Sequence, residues 1–190
     1  MEEIAFYWEW LSLPKDQFRL LAMTSASGGR FDGNYTDMCN YLSVTAQSRN
    51  RAKIKAALEA LTSAGYIDWE QSGRTHHLKI VPKATEIKIP LELTNSIINH
   101  EYSPDDKVAW EQVLRLYMWI CHNTQDIIQN FMIETDLNIS ESVVTKAKKV
   151  LAVEYETIYR KDASAKYGLD SFVKLGQRLQ ALAWWKDINK

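Results

Sequence analysis

Residues 45–67 read TAQSRNRAKIKAALEALTSAGYI, and Ile54, Ala57, Leu58, Leu61 and Ala64 step along them by three and four. That spacing lines one face of an α-helix. Gln47, Arg49, Asn50, Arg51, Lys53 and Lys55 fall off the apolar face and crowd the helix start, with no acid among them before Glu59. Thr45 and Asn50 are both acceptable amino-terminal caps, because either side chain can accept from a backbone N–H of the first turn. A cap at Asn50 would leave Gln47 and Arg49 in the preceding loop, near a ligand's backbone. The sequence allows both starts.

Downstream, Gly65 can take the left-handed conformation that ends a helix without steric cost. Residues 66–70 have the aromatic and β-branched content of a strand. Gln71, Ser72 and Gly73 make a turn, residues 75–81 return, and Pro82 stops the second strand. Upstream, Asn34 is placed to cap a short helix, with Asp37 three residues on and Met38, Cys39 and Leu42 facing a core. Gly28, Gly29 and Gly33 break the chain around residues 30–32 and leave room for a short strand. Pro14 suits the first position of a helix over about residues 14–25, because its missing N–H needs no partner there. The aromatic lead Ile4, Phe6, Tyr7, Trp8, Trp10 and Leu11 precedes it.

Helix, strand, helix, cationic helix and two-stranded hairpin is the order of parts in a winged helix, a fold whose usual work is holding duplex DNA. The second half repeats the grammar weakly, with Ile89 and Pro90 echoing Leu13 and Pro14. Ser103, Pro104 and Asp106 form a helix start, followed by Trp110, Val113, Leu114, Tyr117 and Cys121 at helical spacing. Ile127, Ile128 and Phe131 suggest a further helix. Over residues 136–151 Ser140 can cap a helix with Val144, Ala147 and Leu151 inside and Thr145, Lys146, Lys148 and Lys149 outside. Ile158, Tyr159, Arg160, Lys161 and Lys166 read as a shorter wing. Residues 168–185 carry a last apolar helical stripe, with Leu169, Phe172, Val173, Gly176, Leu179 and Leu182 in line. The expected fold is therefore mainly α with small β wings (α+β), in two tandem winged-helix-like, helix-turn-helix units over residues 1–83 and 84–190.

The chain of 190 residues carries 23 Lys and Arg against 24 Asp and Glu, so its net charge of −1 excludes a polybasic, purely electrostatic binder. Charge for a nucleic acid has to be local. Residues 45–83 hold seven cations (Arg49, Arg51, Lys53, Lys55, Arg74, Lys79, Lys83) against three acids (Glu59, Asp68, Glu70), an island in a near-neutral chain. A helix fits the major groove with its first turns against the base edges, where Gln and Asn pair with adenine and Arg with guanine. Gln47, Arg49, Asn50 and Arg51 are the right types for that work, with Lys53 and Lys55 beside them. Arg74, His76 and Lys79 would touch phosphate or minor groove from the wing. Thr145, Lys146, Lys149, Arg160 and Lys161 are the corresponding candidates in the second unit. Trp184 and Trp185, with the final stripe, are candidates for a homodimer contact.

Catalysis, metals and cofactors are not expected. His76, His77, His100, His122, Cys39 and Cys121 lack the paired spacing of a zinc site. There is no phosphate-binding glycine loop, no G-x-S-x-G elbow and no acidic cluster for magnesium. Two widely separated cysteines in apolar patterns, no apolar leader and no run of about 18 apolar residues point to a reduced, cytoplasmic protein without a membrane span.

The segments FYWEWLSLPKDQFRLLAM (6–23), NYTDMCNYL (34–42) and IKAALEALTSAGYI (54–67) resemble the N-terminal domain of phage replisome organisers and related plasmid replication initiators. The resemblance covers residues 4–82. It implies origin binding by the helix over residues 45–64 and recruitment of host replication proteins that load the helicase. Two other readings stay open: a dimeric transcriptional regulator on a palindromic site, and an adaptor that uses winged helices for protein contacts without DNA.

Overall fold

The computed structural model describes residues 2–100, 108–123, 127–128, 130–155 and 172–173, and they form an α+β protein. The chain divides into two compact units, Met1–Ser96 and Ile97–Lys190.

In the first unit a strand β1 (Glu3–Tyr7) leads through a 3-10 turn (Trp8–Ser12) into helix α1 (Lys15–Ala26). Pro14 precedes the helix as its cap, and its carbonyl accepts from the Phe18 N–H. Phe18, Leu20, Leu21 and Met23 are buried, as are Phe6 and Trp10, whose rings meet edge to face at 5.6 Å. Strand β2 (Arg30–Gly33), helix α2 (Tyr35–Tyr41), helix α3 (Ser48–Ser63) and strands β3 (Ile67–Ser72) and β4 (Thr75–Ile80) follow. The three strands form one antiparallel sheet in the order β2-β4-β3, so the strand before α2 lies beside the last strand of the hairpin. Helices α1 and α3 pack on each other and on this sheet.

Local chemistry explains the elements. Asn34 Oδ1 accepts from the Thr36 and Asp37 N–H groups while Asp37 Oδ2 accepts from the Asn34 N–H, a reciprocal capping box at the start of α2. Asn34→Ala is expected to lower stability by about 1 kcal/mol, read as a shifted urea midpoint at constant slope. Ile54, Ala57, Leu58 and Leu61 are buried along α3, on the face that the three-and-four spacing picks out. Gly65 follows with φ +69, and Gly73, at φ +61, begins the two-residue turn Gly73–Arg74 of the β3–β4 hairpin.

The expected boundary at residue 83 is corrected. Strand β5 (Glu86–Pro90) pairs antiparallel with β1, Ile4 opposite Ile89 and Phe6 opposite Ile87, so the chain through Pro90 belongs to the first unit. Ile89 and Pro90 thus end strand β5 and stand directly before a helix, as Leu13 and Pro14 stand before α1, but they do so within the first unit. Helix α4 (Leu91–Asn99) follows directly, its Leu91 N–H donating to the Glu2 carbonyl.

The second unit contains helix α5 (Trp110–His122), a two-residue strand β6 (Ile127–Ile128), helices α6 (Asn130–Leu137) and α7 (Glu141–Tyr155), and strand β7 (Phe172–Val173). Helix α5 is buried on nearly every side, as a helix at the centre of a unit must be. It packs against α6 and α7, and the buried Trp119 indole donates to Asp136 Oδ2 at 2.8 Å. Two expectations change. Ile127 and Ile128 are strand and not helix, because they pair with Phe172 and Val173. Those two residues are accordingly strand within the span read as the last helix. Phe131, read with the isoleucines as part of a further helix, does lie in a helix, α6, where it is 62% exposed. The expected second wing around Ile158–Lys166 and the rest of the C-terminal stripe, with Trp184 and Trp185, lie outside the described residues. Among the described residues no helix is long and apolar enough to cross a membrane.

Candidate nucleic-acid interface

Helix α3 begins one residue after Gln47, which occupies the cap position with extended backbone and no side-chain cap bond. Neither Thr45 nor Asn50 caps it. Asn50 sits in the first turn, and its Nδ2 donates backwards to the Thr45 carbonyl at 2.9 Å and Thr45 Oγ1 at 3.2 Å. That bond ties the helix to the loop after α2, where Ser43 turns the chain at φ 55. The Asn50 amide nitrogen is therefore engaged by its own loop, and the adenine pairing expected of Asn50 draws on that same nitrogen as donor.

The remaining candidates of α3 are exposed and ordered on the helix. Successive residues turn by about 100°. Ser48, Ala52 and Ala56 consequently form the ridge opposite the buried face, with Arg51 and Lys55 on one flank and Arg49 and Lys53 on the other; all seven are exposed. Arg51 Nη2 reaches Thr36 Oγ1 of α2 at 3.4 Å, which leans it towards that helix. Lys55 stands 3.7 Å from Glu59, an exposed pair one turn apart that contributes little to stability. The small ridge was present in the sequence as Ser48, Ala52, Ala56 at intervals of four, hidden by the attention that the cations draw.

The hairpin separates its three candidates. Arg74 is at the exposed tip. His76 is only 1% exposed, so the expected phosphate contact is corrected: its Nδ1 accepts from the Trp69 indole N–H at 3.1 Å, and its ring lies 4.3 Å from that of Tyr35 at the start of α2. Strand alternation carries this outcome, because His76 shares its parity with the buried Leu78 and Ile80. Lys79 is exposed on the opposite sheet face, opposite Arg30 in β2 and Asp68 in β3, about 16 Å along the strand from the tip. The same face carries Asp32, bonded to His77 at 2.5 Å, and Glu70. Acids at these positions make that face a poor partner for phosphate. Arg74 and Lys79 are not brought together.

Burial pushes the His76 imidazole below the ordinary histidine range, and the neighbouring His77 adds to the effect. The neutral ring that accepts from Trp69 is thus the folded form. Its contribution to stability is complete above about pH 6.5 and is lost as pH falls through the lowered folded value, since the unfolded chain binds the proton first. Urea midpoints measured from pH 7.5 to 5.5 should fall more steeply for the wild type than for His76→Gln, whose amide oxygen keeps an acceptor without titrating in that range. Parallel curves would remove His76 from the acid response.

In the second unit Thr145 and Lys149 are exposed one turn apart on α7, and Lys146 is half-buried. Lys148, expected on the outer face, is 6% exposed with its Nζ donating to Asn130 Oδ1 of α6 at 2.5 Å. Its ammonium holds two helices of the unit together. Arg160 and Lys161 lie outside the described residues. Among the described residues no group of three or more His, Cys, Asp or Glu side chains could hold a metal ion. Comparison of the chain with protein-family models, curated proteins and solved structures finds no match.

Proposed function

We propose that the first unit is a winged-helix module that binds duplex DNA without catalysis, with α3 as the helix that enters the major groove. The observation that carries this reading is the pattern on α3: a ridge of small residues between two rows of exposed cations. The major groove is about 12 Å wide, and a helix must seat deeply in it for side chains to reach base edges. Ser48, Ala52 and Ala56 allow that close approach, and the alanine methyls suit thymine methyls. Arg49 and Lys53 on one flank and Arg51 and Lys55 on the other then meet phosphates of the two strands, with Gln47 at the helix entrance. Arg74 at the hairpin tip reaches the backbone alongside. The order α1, β2, α2, α3, β3, β4 with sheet order β2-β4-β3 supports the assignment of the fold.

The role we assign to this binding is the start of replication of a phage or plasmid-like element, from the resemblance to replisome organisers and plasmid initiators. Duplex fragments flanking the gene, titrated by fluorescence anisotropy over a salt series, test the binding. With Arg49, Arg51, Lys53, Lys55 and Arg74 each on a phosphate, the logarithm of affinity should fall against that of salt with a slope of about −4.5. No binding, or a flat response, overturns the reading. Footprints on clustered direct repeats support an origin, whereas a single palindrome assigns the protein to transcriptional regulation.

A further inference from the structure

Beside the proposed reading helix is a feature that none of the residues considered so far requires. A depression of about 340 Å³ opens between the first turn of α1 and the first turns of α3. Lys15 and Arg19 line it from α1, Lys53 and Asn50 from α3, with the buried Ile54 at its base and Asp16 as the one carboxylate among its lining residues. Three cations from two helices thus meet around one concavity with a partly apolar lining. A guanidinium with flanking ammonium groups suits phosphate oxygens, the fork supplying two directed bonds and the ammoniums point charges. Lys53 belongs both to this depression and to a flank of the small ridge on α3, so an anion held here would lie next to a duplex seated on that helix.

On the DNA-binding reading just given, we infer that this depression is a phosphate site occupied by a backbone phosphodiester of the bound duplex, and that α1 therefore contributes Lys15 and Arg19 to the interface. The contact carries no base information. It sets the register of the duplex against α3 from a second helix, which limits the angle at which α3 enters the groove.

The test compares wild type, Lys15→Gln with Arg19→Gln, and Lys88→Ala, an exposed cation of β5 that serves as control. Glutamine keeps the apolar stems and removes only charge. Binding of a labelled duplex over a salt series should show the double variant's slope smaller in magnitude by about 0.9, the increment for one phosphate, and its affinity at low salt reduced about tenfold or more, with the control unchanged. If the double variant fails to fold, the single exposed change Lys15→Glu carries the same test, with a slope smaller in magnitude and a weaker affinity at low salt. Equal slopes in wild type and variant overturn the phosphate site and leave DNA binding by α3 intact. Absence of duplex binding by the wild type overturns both. If orthophosphate raises the wild-type melting temperature above chloride at equal ionic strength, and duplex slopes are equal, the site belongs to a small phosphate ligand and the duplex assignment fails.

Discussion

Replacing Arg49, Arg51 and Lys53 together by Ala is expected to weaken duplex binding by about 3–6 kcal/mol, two orders of magnitude or more, while changing folding stability by about 0.5 kcal/mol or less. The three side chains are exposed on α3 and occupy both flanks of its ridge, so their loss removes backbone contacts to both strands. Little holds them to the protein: the Arg51 bond to Thr36 is long, at 3.4 Å. The salt slope should shrink in magnitude by about 2.7, one increment for each phosphate contact removed. Loss of affinity with an unchanged slope would mean that these residues do not neutralise phosphate. Unchanged affinity would sink the DNA-binding reading, because the exposed cations of α3 would then have no nucleic-acid role.

Leu58→Ala should act in the opposite way. Leu58 is fully buried on α3 beside Leu61 and Ile54, on the face away from the cations. Truncation removes apolar contact and leaves a cavity that the surrounding helices and sheet fill incompletely, a loss of about 2–5 kcal/mol. A unit of this size has only about 5–14 kcal/mol in total, so the urea midpoint should drop steeply at constant slope. Below the unfolding transition, duplex affinity should stay within about threefold, because no atom of Leu58 reaches the proposed interface. The two variants together separate the parts of α3: one face holds the unit together, and the other has no structural task that the fold demands. A large loss of affinity in folded Leu58→Ala would instead show that small shifts of α3 control binding.

Much of the first unit was legible because its elements are specified over short distances. The α3 face rests on residues three and four apart, the α2 start on a bond between Asn34 and Asp37, and the β3–β4 turn on one glycine. The start of α3 was less legible. Thr45 and Asn50 both qualified as caps by residue type, yet the two side chains bond to each other's segment and Gln47 takes the cap position. His76 was read as exposed on account of its chemistry, although its parity with Leu78 and Ile80 assigned it to the buried face; strand period outweighs residue type where a sheet has one covered side. Lys15 and Arg19 carry no signal of their own, because α1 alone shows only an ordinary polar face.

By itself the sequence determined the capped start of α2, the β3–β4 hairpin, the apolar face of α3 and the cations on its start, since these depend on neighbours within a few residues. The tertiary structure decided the rest. It paired β1 with β5 across some eighty residues, buried His76 between Tyr35 and Trp69, bonded Lys148 to Asn130, and brought Lys15 and Arg19 beside Lys53. Each of these depends on which distant segment supplies the other side of a contact. A partner far along the chain is chosen by the packing of whole elements, and that choice leaves no local pattern to read.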